Sequence, residues 1–149
     1  RDGAAVFVDY AHTPDALVNV CAAIRELKPK RLITVFGCGG DRDVSKRPMM
    51  GAAASKASDF CIVTSDNPRS EKPEVIMAQI EKGISGERYQ KIEDRMDAIQ
   101  TAVNLSEEGD IVLVAGKGHE TYQEVEGERT DFDDRRAAYK AMNLKKTIV

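Results

Sequence analysis

The sequence predicts an α/β fold with a mainly parallel, doubly wound sheet of about six strands and helices on both faces. Short apolar runs rich in β-branched residues alternate with amphipathic segments along the chain, which is the pattern of βαβ units. Runs of this kind suit strands buried on both faces. Right-handed crossovers between them place helices on both sides. One antiparallel strand or hairpin is expected near the C-terminus.

The elements follow from periodicity and from turn residues. Thr13 before Pro14 predicts an N-cap with proline at the first helical position. Met49, Met50 and Val75 are expected in the core, and the charged run 131–136 is expected to face solvent. The predicted strands are 5–8, 31–36, 60–63, 89–92 and 110–115, with a hairpin formed by 121–125 and 129–132. The predicted helices are 14–27, 46–57, 73–84, 95–105 and 133–142.

Composition limits the function classes. A chain of 149 residues suits one domain with a full core. The net charge of −3 argues against nucleic acid as a partner, and no apolar run approaches the ~20 residues of a membrane span. The three cysteines are far apart and lie in or beside apolar segments, so they are predicted to be buried free thiols in a reducing cytoplasm. No metal site is predicted, since no CxxC or Cys/His cluster occurs.

The first predicted strand begins only a few residues into the chain. A core strand so close to the start leads us to expect a domain cut from a longer protein.

Four predicted strands end in unusual polar turns. Because parallel strands place their carboxyl ends at one edge of the sheet, where ligands bind in such folds, the four turns are expected to converge. Each turn alone also has an ordinary explanation, since His12 can cap a helix and the glycines can permit a tight turn. The turns are Asp-Tyr-Ala-His-Thr-Pro at 9–14, Gly-Cys-Gly-Gly-Asp-Arg-Asp at 37–43, Asp-Asn-Pro-Arg at 66–69 and Gly-Lys-Gly-His-Glu at 116–120.

Nucleotide-binding signatures are missing from these turns. Neither GxGxxG nor GxxxxGK[ST] occurs, and Lys117 lacks a following Ser or Thr. If the protein works on ATP, another domain must therefore hold the phosphates.

Taken together, the four motifs resemble the C-terminal domain of the Mur ligase family, in order and spacing over essentially the whole chain. The resemblance implies a Rossmann-like domain that spans residues 1–149 and brings the incoming amino acid. It implies that a central ATP-binding domain and an N-terminal UDP-binding domain lie outside this chain. It further implies a cytoplasmic bacterial enzyme of peptidoglycan synthesis, with no membrane or nucleic-acid partner.

The reaction implied by the resemblance is ATP-dependent amide formation through an acyl phosphate. Within the family, the Asp-Asn-Pro-Arg motif is typical of enzymes that add meso-diaminopimelate to UDP-N-acetylmuramoyl-L-alanyl-D-glutamate. ATP and Mg²⁺ are expected to be held mainly by the absent central domain, so this domain has no catalytic residue and is inactive alone. The resemblance implies that the amino acid is bound by Arg42, Asp66, Asn67, Arg69, Gly116 and Glu120.

Individual roles follow from the same resemblance. Arg69 is expected to fork onto the distal carboxylate, and Asp66, Asn67 and Glu120 to hold the distal ammonium, assisted by the Gly116 carbonyl. In the first turn, Asp9 is expected at the ATP ribose and His12 near the phosphates.

Three other interpretations stay open. An L-lysine-adding ligase of the same family is the first, although lysine would leave Arg69 without a partner. A non-catalytic Rossmann-like binding module is the second. A nicotinamide-dependent oxidoreductase is disfavoured because the dinucleotide fingerprint is missing.

Overall fold

A five-stranded parallel sheet forms the centre of the molecule, in the order β1-β5-β2-β3-β4. The computed structural model describes the backbone of residues 4–147 and the side chains of residues 4–145. The strands are β1 (Ala5–Asp9), β2 (Leu32–Phe36), β3 (Phe60–Val63), β4 (Tyr89–Lys91) and β5 (Ile111–Ala115). A separate antiparallel hairpin consists of β6 (Tyr122–Val125) and β7 (Glu128–Asp131). The predicted α/β class, the parallel sheet and the hairpin are thus confirmed, although the sheet has five strands rather than about six, because the hairpin forms a sheet of its own.

Five helices cover the two faces of the sheet. They are α1 (Pro14–Arg25), α2 (Lys46–Ala57), α3 (Pro73–Glu81), α4 (Arg95–Leu105) and α5 (Asp134–Thr147). The first three pack on one face and the last two on the other, each against fully buried residues of β2, β3 and β5. Thr13 caps α1 as predicted, because its hydroxyl accepts a hydrogen bond from the Ala16 amide at 3.2 Å. Among residues 4–147, no helix has the length and apolar character needed to span a membrane.

Two predicted core positions are wrong. Met49 and Val75 are exposed, because α2 and α3 turn Met50 and Ile76 toward the sheet instead. All three cysteines are free, as predicted, and Cys21 and Cys61 are buried, but the predicted burial is wrong at Cys38, which is only partly buried.

The expectation that the run 131–136 faces solvent is wrong at Asp134. This carboxylate is fully buried in a bidentate ion pair with Arg95, at 2.8 Å from Nε and 2.7 Å from Nη2. Arg95 also donates to the carbonyls of Ser65 at 3.0 Å and Ala115 at 3.1 Å. One guanidinium group therefore joins α4, α5 and the carboxyl ends of β3 and β5.

Removing one partner of this pair should destabilise the protein strongly. For Arg95→Met we expect the free energy of unfolding to fall by about 3–5 kcal/mol, because a buried carboxylate loses its cation. The double variant Arg95→Met/Asp134→Leu should regain most of that loss, because apolar groups tolerate burial. Urea denaturation measures the free energy of unfolding of both variants. Arg135→Met, at an exposed position, is the matched control. A loss no larger than that of the control would show that the pair is not structural.

Candidate functional site

The turns that follow β1, β2, β3 and β5 meet at the carboxyl edge of the sheet, as predicted. They enclose a cavity of about 480 Å³, which is also lined by the start of α2 and by Tyr122 of the hairpin. Of the residues assigned to the amino acid or to ATP, all but Asp9 line this cavity: His12, Arg42, Asp66, Asn67, Arg69, Gly116 and Glu120.

Lys117 is the organising cation of the site. It is fully buried, and its ammonium donates to the Asn67 side-chain oxygen at 2.8 Å. The same ammonium lies 3.5 Å from Asp66 Oδ1 and 3.6 Å from Glu120 Oε1. The sequence analysis noted only that Lys117 lacks the following Ser or Thr of a phosphate-binding loop. Its position between two glycines at the end of a buried strand was the signal available.

Asp66 lies directly against the backbone of the last turn. A Cβ at Gly116 would come within 2.7 Å of Asp66 Oδ2, and Gly116 adopts a φ of +119°. Only glycine therefore fits at this position. The close approach keeps the Asp66 carboxylate and the Gly116 backbone together at the cavity wall, where both can accept hydrogen bonds from an ammonium.

Asn67 is oriented by the donors around it. Its side-chain oxygen accepts hydrogen bonds from Lys117 and, at 2.9 Å, from the Glu124 amide. Both lone pairs are thereby used, and the NH₂ group is left facing Glu120 Oε1 at 3.5 Å. An NH₂ group cannot accept a hydrogen bond from an ammonium. The geometry thus argues against the expected ammonium contact for Asn67, whose NH₂ group makes only a long contact with Glu120.

Arg69 borders the cavity with a guanidinium that is partly engaged. Its Nη1 donates to the Gly40 carbonyl at 3.1 Å, and its Nε lies 3.5 Å from Glu124 Oε1. Within the part of the chain that the structure describes, Nη2 has no protein acceptor and is free to bind a ligand carboxylate. The residue has a left-handed backbone, with φ +53°.

The hairpin holds the Asp66–Arg69 turn in place. The Arg69 amide donates to the Glu124 carbonyl at 3.0 Å, and the Glu126 amide donates to the Arg69 carbonyl at 2.7 Å. Gln123 adds a side-chain hydrogen bond to the Asp66 carbonyl at 2.7 Å. The hairpin thus continues the site rather than forming an independent surface.

The glycine turn after β2 is fixed by a second arginine that sequence analysis missed. Arg47 is buried and pairs with both oxygens of Glu71, at 2.9 and 2.8 Å, while it also donates to the Gly39 carbonyl at 3.0 Å. Gly40 packs so closely on the Pro68 carbonyl that a Cβ would lie 1.8 Å from that oxygen. Arg42, by contrast, is exposed and donates to the Asp41 carbonyl at 3.0 Å.

The first turn forms the other end of the cavity. His12 is exposed, with Nδ1 at 3.0 Å from the Tyr10 carbonyl and its ring 4.6 Å from that of Tyr10. Asp9 instead accepts a hydrogen bond from the Ala11 amide at 2.8 Å and shapes the turn. The ribose and phosphate contacts of Asp9 and His12 stay predictions.

Cys38 also lines the cavity, but its chemistry excludes a nucleophile at neutral pH. Burial, reinforced by the nearby Asp66 carboxylate, raises the pKa of the Cys38 thiol to about 12. The thiol therefore stays protonated.

The fold and the cavity define an α/β domain with a small polar site that presents separate anionic and cationic groups. The family model "Mur ligase, glutamate ligase domain" matches residues 1–118. The chain belongs to the Mur ligase family.

Named relatives agree with this assignment. The chain is similar to UDP-N-acetylmuramoyl-L-alanyl-D-glutamate–2,6-diaminopimelate ligase of Syntrophomonas wolfei, at 58% identity over 90% of this chain and 28% of the relative. The ligase of the same name from Clostridioides difficile is 48% identical over 95% of this chain and 30% of the relative. A solved ligase of that name superposes with a TM-score of 0.90 at 48% identity, covering 95% of this chain and 29% of its own. The chain thus spans under a third of these relatives.

Loss of the Glu71 carboxylate should remove a pH-dependent contribution to stability. The hydrogen bonds from Arg47 lower the pKa of Glu71 to about 2, from an ordinary value of 4.5. A depressed folded-state pKa stabilises the protein above the unfolded value, and this stabilisation disappears as the pH falls toward 2. We expect Glu71→Gln to cost about 2–3 kcal/mol at pH 7, after allowance for partial exposure.

The test compares urea denaturation of Glu71→Gln and of the exposed control Glu108→Gln from pH 7 to pH 2.5. The deficit of Glu71→Gln should shrink below pH 4.5, and a deficit that is constant with pH would contradict the assignment.

Lys117→Met should destabilise the protein by about 2–4 kcal/mol, because Asp66 and Glu120 lose the cation that they share and Asn67 loses a donor. Thermal unfolding of this variant is compared with that of Lys140→Met, at an exposed position on α5. Equal effects of the two substitutions would show that Lys117 does not organise the site.

Proposed function

We propose that this chain is the C-terminal, amino-acid-binding domain of an ATP-dependent ligase that adds meso-diaminopimelate to UDP-N-acetylmuramoyl-L-alanyl-D-glutamate in the bacterial cytoplasm. The observation that carries the proposal is the pairing of charges in the cavity. Asp66 and Glu120 share one cation, Lys117, whereas Arg69 offers unused donors. Two carboxylates with one internal cation leave one negative charge for an ammonium.

The charges at the distal end of meso-diaminopimelate are complementary to those of the site. The distal end of meso-diaminopimelate carries an ammonium and a carboxylate on the same carbon. We assign the ammonium to Asp66, Glu120 and the Gly116 carbonyl, and the carboxylate to Arg69, with Arg42 close enough along the cavity wall to add charge. L-Lysine has the ammonium but lacks the carboxylate.

The chemistry that follows is acyl transfer. The γ-phosphoryl group of ATP passes to the terminal carboxylate of the dipeptide and forms an acyl phosphate and ADP. The free amine at the other end of the amino acid attacks the acyl carbon, and the tetrahedral intermediate collapses to the amide with loss of phosphate and a proton. The role proposed for this domain is to hold the nucleophile at the reacting carbon, where orientation supplies much of the rate.

The nucleotide is proposed to contact this domain only at its first turn. His12 lies beside the N-terminus of α1, where the backbone amides and the helix dipole favour phosphate. Among residues 4–145, the structure contains no group of three His, Cys, Asp or Glu side chains that could hold a metal ion. We propose that Mg²⁺ and the phosphate cradle belong to a central domain, and that a third domain binds the UDP-sugar.

Arg69→Ala in the full-length ligase tests the proposal. We expect kcat/KM for meso-diaminopimelate to fall roughly 30- to 150-fold, equivalent to about 2–3 kcal/mol for a charge-assisted pair in a partly exposed site. The low kcat/KM for L-lysine should stay nearly constant, because lysine has no distal carboxylate to lose a contact.

Arg136→Ala, at an exposed position on α5, is the matched control. A wild-type enzyme that prefers L-lysine would favour the lysine-adding alternative. If Arg69→Ala keeps kcat/KM for meso-diaminopimelate within threefold of wild type, the substrate assignment is wrong. A parent protein without ligase activity would favour the binding module.

A further inference from the structure

Arg69 already has a carboxylate partner inside the chain. Its Nε lies 3.5 Å from Glu124 Oε1, and the two side chains are 20% and 25% exposed. This distance is longer than a normal N–H···O hydrogen bond, so the contact is an ion pair without a tight hydrogen bond. Such a contact can be exchanged for another carboxylate.

The geometry of the guanidinium decides which donors a ligand can use. Arginine presents two-donor edges, one formed by Nη1 and Nη2 and the other by Nε and Nη2. Nη1 of Arg69 is turned to the Gly40 carbonyl at 3.1 Å and to the Asn67 carbonyl at 3.4 Å. A bidentate ligand is therefore left with the Nε and Nη2 edge, and Glu124 occupies half of that edge.

Glu124 is held at this edge by its backbone. Its amide donates to the Asn67 side-chain oxygen at 2.9 Å, and its carbonyl accepts from the Arg69 amide at 3.0 Å. Its cross-strand neighbour Arg129 does not draw the carboxylate away, because that guanidinium stacks on the Tyr122 ring at 4.2 Å from the centroid. The Glu124 carboxylate is thus directed to Arg69.

We propose that Glu124 is a specificity-determining residue that competes with the distal carboxylate of the substrate for Arg69 and so weakens discrimination against L-lysine. The inference rests on the proposed function. It also corrects the argument that lysine would leave Arg69 unpaired, because Glu124 remains its partner when lysine is bound.

The two amino acids respond to Glu124 in opposite directions. The distal carboxylate of meso-diaminopimelate is repelled by Glu124 and must displace it from Nε. With L-lysine, the Glu124 carboxylate neutralises an arginine that would otherwise lose solvent without gaining a partner. Neutralising Glu124 should therefore favour meso-diaminopimelate and disfavour L-lysine.

Glu124→Gln in the full-length ligase tests this inference, because glutamine keeps the shape of the side chain and the strand. We expect the ratio of kcat/KM for meso-diaminopimelate to kcat/KM for L-lysine to rise about three- to tenfold, the scale of a partly exposed ion pair. KM for meso-diaminopimelate should fall while KM for L-lysine rises. A loss of hairpin structure would instead impair both substrates.

Glu128→Gln is the matched control, because it makes the same charge change at an exposed position on the other strand of the hairpin. In this control, the ratio of kcat/KM for meso-diaminopimelate to kcat/KM for L-lysine should stay within twofold of wild type. Glu124→Ala is the second variant and should shift the ratio in the same direction as Glu124→Gln. An unchanged or lowered ratio in either Glu124 variant overturns the inference while the proposed function stands. A wild-type enzyme that incorporates neither amino acid overturns the proposed function itself.

Discussion

The buried guanidinium of Arg95 fixes the geometry on which the site depends. It binds both oxygens of Asp134 and the carbonyls of Ser65 and Ala115. Those two carbonyls belong to the residues immediately before Asp66 and Gly116. Since the planar guanidinium offers its donors in fixed directions, it sets the spacing between the two turns. The close approach of the Asp66 carboxylate to Gly116 follows from that spacing.

A second principle is the internal neutralisation of charge. Lys117 lies between Asp66 and Glu120, and Glu124 lies against Arg69. Partly buried charges are costly without partners, and each of these charged groups lies beside one of opposite sign, although Asp66 and Glu120 share Lys117. A ligand with one positive and one negative group at the same end can share these partners without changing the net charge of the site.

Local sequence signals were sufficient for most of the fold. The strands and the four turns are marked by β-branched runs and by Gly, Pro and Asn, and parallel topology alone predicts that the turns converge. Partners distant in sequence were missed, because nothing local links Arg95 to Asp134. Met49 was misplaced because neighbouring positions on a helix point about 100° apart, and only packing shows that Met50 faces the sheet. The orientation of the Asn67 side-chain amide could not be predicted, because it depends on two donors distant in sequence, Lys117 and the Glu124 amide.

The left-handed backbone of Arg69 bears on which residue suits this position. A residue with a Cβ is strained in that conformation, whereas glycine and asparagine adopt it more readily. The hydrogen bonds of the hairpin hold the residue there regardless of its side chain. Asparagine or glycine at this position would relieve the strain of the backbone but would lose the contacts of the guanidinium with the Gly40 carbonyl and Glu124. Under the proposed function, the acidic group of the substrate is a further reason for an arginine to occupy this strained position.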